Sequence, residues 1–185
     1  MRKTTRDWLL AVGILVLMGP LAFTLPIAFA APNVLVAALP AGDRPSSVTE
    51  VDHDRAQSYA DEIAPGLTIR WDADAACAGD DLTLACVLPA LNPSVIHLAP
   101  RLADDLDYVA RAVILHEATH SVVALDGIDI PEEYGQIAPG VPAGEAFADC
   151  VAVHFEPESV GIVGYLPDGC PEDLRDWALD LIRKG

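Results

Sequence analysis

Arg111 to Gly127 reads RAVILHEATHSVVALDG, and the reading of this stretch decides the fold. Within it, His116, Glu117 and His120 make the pattern H-E-x-x-H. A spacing of four residues puts both imidazoles on one face of an α-helix, where they can bind one zinc ion with the glutamate beside it. With 5 His and 9 Glu in 185 residues, the pattern arises by chance in roughly 0.6 % of such chains. The competing reading is an exposed helical face that merely carries these side chains. Against it stand the flanks, Ala112 to Leu115 and Val122 to Leu125, which are apolar on every side. Such a helix belongs in the interior, where imidazole and carboxylate groups need partners such as a metal.

Working outward, Asp104 or Asp105 is expected to cap the start of this helix, and Asp126-Gly127 to end it. Ser94 to Leu98, between Pro93 and Pro100, reads as a strand, as do Leu67 to Trp71 and Leu82 to Leu88. Val48 to Ile63 suits an amphipathic surface helix ended by Pro65-Gly66, and His53 on it reads as a solvated histidine. Downstream, prolines and glycines mark a loop over Ile128 to Val141. Ala143 to Phe155 returns to helical spacing with several small residues, which suits close packing against another helix. Pro171 opens a last helix with Leu174, Trp177, Ala178 and Leu181 on one face.

The amino-terminal part has a different character. Residues 1 to 7 carry Arg2, Lys3 and Arg6, and no charge occurs from Trp8 to Ala41. Residues 1–30 read as a signal peptide, with Ala28-Phe29-Ala30 as the cleavage signal, or as a membrane anchor, since Trp8 to Ala30 is long enough to span a bilayer. Both readings leave the basic end in the cytoplasm and the remainder outside. Residues 31–47 then form a linker and 48–185 the folded domain.

Net charge is −17, and beyond residue 42 the chain has 8 basic residues against 27 acidic ones. A surface so negative repels nucleic acid and anionic headgroups, so neither is an expected partner; the membrane is met only through the N-terminal segment. The even cysteine count in an exported chain points to disulfides, and no C-x-x-C spacing supports a cysteine zinc site. Of the three pairings, Cys77 with Cys86 and Cys150 with Cys170 closes the shortest loops.

The H-E-x-x-H stretch resembles the zincin metallopeptidases, and among them the gluzincins. The resemblance covers about Ser94 to Phe155. It implies a third zinc ligand from a glutamate on a second, downstream helix, and an aspartate four residues later that orients a zinc histidine. Glu145 and Asp149 match that E-x-x-x-D pattern; so do Glu172 and Asp176, but these start an amphipathic, exposed helix. The metzincin extension fails, because Val123 stands where its glycine is required, Asp126 holds the last place, and the only methionines are Met1 and Met18. His154 is an alternative ligand, and with Tyr134 a candidate for stabilising an oxyanion.

Zinc proteases often place the strand before the metal helix along the cleft, where it pairs with extended substrate; His97 would then line the cleft or only cap the sheet. The expected fold is thus α+β, a compact zincin-like domain with a small, mostly antiparallel sheet and the H-E-x-x-H helix packed on a ligand-bearing helix. The expected activity is hydrolysis of a peptide or protein substrate outside the cytoplasm by a monomer holding one Zn2+, with Glu117 as general base. Two alternatives are an inactive zinc-stabilised binding or structural module and a metal-free, membrane-anchored interaction protein.

Overall fold

The computed structural model describes residues 47–77, 83–105, 108–161 and 164–184. The signal or anchor segment and nearly all of the linker therefore lie outside the described residues, as does Leu82 of the second expected strand. Among the described residues, no helix is long and apolar enough to cross a membrane.

Helix α1, Glu50–Asp61, begins where Thr49 and Asp52 cap each other: the Asp52 amide donates to the Thr49 hydroxyl, and the Thr49 amide to the Asp52 carboxylate. Only Ala56 and Ala60 of α1 are buried, as an amphipathic surface helix requires. Gly66, at φ 94°, turns the chain into strand β1, Thr68–Arg70. A single helical turn, α2, covers Ala73–Ala76 and leads to Cys77. Strands β2, Ala85–Leu88, and β3, Asn92–Leu98, form a hairpin.

The sheet has the order β1-β3-β2, with β1 parallel and β2 antiparallel to β3. It is therefore mixed rather than mostly antiparallel. The central place of β3 also corrects the expectation that this strand pairs with substrate, because both of its edges are used within the sheet. Its sequence fits that place: Val95 to Leu98 are all buried. Ile69, Val87, Ile96 and Leu98 face helix α3, Tyr108–Asp126. On the other face, His97 lies opposite Cys86, above Cys77, Ala73 and Ala99. Asp104 and Asp105 belong to a 3-10 turn, Pro100–Asp105, and the residues that join it to α3 lie outside the described ones. At its other end α3 stops as expected, with Gly127 at φ 65°.

Helix α3 is buried almost all round, from Val109 to Thr119 except Arg111, and again at Ser121 and Val122. Arg111 sits at the join: it donates to Glu62 after α1 and to Glu156 after α4, and its guanidinium lies 5.5 Å from the Tyr59 ring centre. Helix α4, Ala143–Phe155, packs along α3 on one side. On its other side, Phe147, Cys150 and Val151 form a second core with Tyr134, Leu166 and the Ala178-Leu179 pair of α5, Glu172–Ile182. Small residues at Ala146, Ala148 and Ala152 let the α4 backbone lie close to both neighbours. The disulfides are Cys77–Cys86 and Cys150–Cys170, the pairing expected from loop length.

Candidate metal centre

Two helical spacings of four residues meet at the α3–α4 contact: His116 and His120 on α3, Glu145 and Asp149 on α4. His116 Nε2, His120 Nε2 and Glu145 Oε2 form a triangle with sides of 3.1, 3.1 and 3.2 Å. Three donors about 2.0 to 2.1 Å from one tetrahedral zinc stand about 3.3 Å apart, so the triangle has the right size, with one position left open. These three residues could hold a metal ion, and they are the one such group of His, Cys, Asp and Glu among the described residues.

The chemistry of the donor set agrees with its size. His116 Nδ1 lies 2.8 Å from Asp149 Oδ1, and an ionised carboxylate only accepts, so Nδ1 carries the proton and Nε2 turns its lone pair to the triangle. Without a cation, acceptor atoms would converge there, and the site takes up a proton instead. Burial, the largest influence, works against a charged His116, but the hydrogen bonds to Asp149 and Glu145 outweigh it and raise its pKa well above 6.5. Burial likewise lifts Glu145, yet the bonds from His116 and His120 win and bring it to about 2. Access is from one side: the His120 side chain is 19 % exposed, against 1 % for His116.

Glu117 is buried beside this group, and its carboxylate accepts the backbone N–H of Val87 on β2. The Ala99 amide donates to Leu84 O at 2.8 Å, which sets the alternation of the β2–β3 ladder: Cys86 bonds inward, and Ala85 and Val87 turn their backbone groups to the outer edge. Burial raises the Glu117 pKa, while His116 and His120 pull it down. A carboxylate placed there is suited to taking and returning a proton.

Asp149 is held from behind. The Tyr165 and Leu166 amides both donate to its Oδ2, at 2.5 and 3.0 Å. The Tyr165 ring centre lies 6.2 Å from that of His116. Burial, then the charges of Glu145, Glu117 and Asp149, raise the Tyr165 pKa, so its phenol keeps its proton.

Other expected residues lie elsewhere. Tyr134 is fully buried in the second core, where its hydroxyl donates to Leu174 O at 2.7 Å, so it is not an oxyanion donor. His154 is exposed in the last turn of α4 with its ring against Phe155, about 13 Å along the helix from Glu145, and is neither ligand nor oxyanion donor. Glu172 and Asp176 are exposed and pair with Arg175. Asp126 is exposed at the end of α3, and His53 is half-buried on α1. His97 lies on the sheet face turned away from α3, with Nδ1 2.7 Å from Asp72 Oδ1, so it ties the sheet to the α2 turn instead of lining a cleft.

Two contributors carry no mark in the sequence. Val87 enters through a backbone amide, which any residue but proline supplies. Nothing in the residues of the Gly164–Leu166 turn names Asp149 as its target. No protein-family model, curated protein or solved structure matches the chain.

Proposed function

We propose that this chain is a zinc-dependent metallopeptidase of the extracytoplasmic space, in which His116, His120 and Glu145 hold the metal. The observation that carries this reading is the Glu117 carboxylate, buried beside the His116, His120 and Glu145 donors and bonded to the Val87 amide of β2. A buried glutamate is unnecessary for holding an ion already given three ligands, but it is what a hydrolytic reaction needs.

Two imidazoles and one carboxylate with an open fourth position suit zinc. Bound there, zinc supplies Lewis acidity, lowering the pKa of a water and polarising a carbonyl. Glu117 accepts the proton of the attacking water and returns it to the departing amine. Asp149 keeps the His116 proton on Nδ1 throughout. Two disulfides within one domain fit an oxidising compartment outside the cytoplasm.

Metal analysis and peptide-cleavage profiling of Glu117→Gln and Glu145→Ala test the reading. Glu117→Gln is expected to keep zinc and lose at least about 1,000-fold in kcat/KM, since it removes the base from the reaction. Glu145→Ala is expected to lose zinc. A wild-type chain that holds zinc yet cleaves no peptide in such a screen makes the centre a structural one.

A further inference from the structure

Asp149 has two oxygens with separate duties. Oδ1 faces His116 Nδ1, and Oδ2 accepts the consecutive amides of Tyr165 and Leu166. Those amides converge because Gly164 turns the chain at φ 87° directly against the carboxylate. A Cβ on Gly164 would lie 2.3 Å from Asp149 Oδ1 and 2.6 Å from Oδ2, so this approach is open to glycine alone. The segment is also tied back to α4 by Cys170, whose disulfide partner Cys150 is the residue after Asp149.

We propose that Gly164 to Leu166 form a positioning element of the metal centre, which locks the orientation of Asp149 and through it the tautomer of His116. The inference rests on the reading that His116, His120 and Glu145 hold a metal, and it does not depend on peptide cleavage.

The lock has a consequence that a merely space-filling turn lacks. In Asp149→Asn, the two amides admit only the side-chain oxygen on their side, so the NH2 group is forced toward His116 Nδ1. Two donors then face each other unless the imidazole proton moves to Nε2, which is the nitrogen that must bind the metal. In Asp149→Ala no donor is forced on Nδ1, and a water can accept its proton. Asparagine, the closer mimic in shape, is therefore the more damaging substitution. Without the lock, asparagine would turn its amide over, accept from Nδ1 and serve nearly as well as aspartate.

The test is the zinc dissociation constant of the full chain, measured by chelator competition, for wild type, Asp149→Asn, Asp149→Ala and Gly164→Ala. Folding is checked by circular dichroism, and ligand geometry by the visible spectrum of the cobalt-substituted proteins. Asp149→Asn is expected to bind about 10- to 100-fold more weakly than wild type, and more weakly than Asp149→Ala, with a changed cobalt spectrum. Gly164→Ala, where it folds, is expected to weaken zinc binding in the same range. Asparagine binding as tightly as alanine or tighter overturns the proposal, whatever the fate of Gly164→Ala. A wild-type chain that binds zinc and shows this order of affinities, but cleaves no peptide, upholds the positioning element while the peptidase reading falls.

Discussion

The Val87 backbone amide donates to the Glu117 carboxylate, joining the outer edge of β2 to the one acidic side chain of the H-E-x-x-H motif.

Val87→Pro removes that N–H while sparing the ladder, because the amide points outward and proline is tolerated on an edge strand. Loss of a hydrogen bond to a charged group is worth about 1.5 to 3 kcal/mol, or roughly 10- to 100-fold in kcat/KM. Zinc content is expected to stay at the wild-type level. Kinetics matching wild type would show that the contact has no part in turnover.

Metal binding should depend on pH through His116. Burial opposes its charge, but Asp149 and Glu145 raise its pKa above 6.5 in the metal-free protein. A group whose folded pKa exceeds its unfolded value contributes stability that is complete below the unfolded value and is lost as pH rises through the folded one. The metal-free protein is therefore expected to lose this contribution on going alkaline from pH 6.5. Zinc, which must displace that proton from Nε2, is expected to bind more tightly over the same rise. Calorimetric titration in buffers of different ionisation enthalpy reads the released proton directly, and zinc affinity that falls as pH rises through this window contradicts the assignment.

Tyr165, rather than Tyr134 or His154, stands beside His116, and the proposed peptidase reading assigns it to the oxyanion. Its ring lies 6.2 Å from His116, and its phenol stays protonated because burial and the nearby carboxylates disfavour phenolate. Tyr165→Phe keeps the amide that holds Asp149, so zinc affinity is expected to be unchanged while kcat falls about 100-fold, the scale of one oxyanion donor. A mutant with full kcat removes Tyr165 from the reaction.

Local rules were enough to read much of the chain. The amphipathic pattern over Val48 to Ile63 marked α1, and Gly127 the end of α3. The apolar flank Ala112 to Leu115 foretold a buried helix, because a helix without a polar face has no side to turn to solvent, whereas the flank Val122 to Leu125 is buried only at Val122 and Leu125 is exposed. Tyr134 misled because a tyrosine in a loop between two site-bearing helices can point to either, and here Phe147 and Trp177 draw its ring into the second core at 5.0 and 5.9 Å.

By itself, the sequence determined the motif-bearing helix and the faces of α3 and α4 that carry His116, His120, Glu145 and Asp149, and it favoured one of the three pairings of four cysteines. These follow from helical period and loop length, which are properties of neighbouring residues. The tertiary structure decided which E-x-x-x-D pair meets the histidines, that β3 is central among the three strands, and that residues 164–166 grip Asp149. Each of these joins segments far apart in the chain through backbone groups or strand order, for which side-chain identity leaves no local signature.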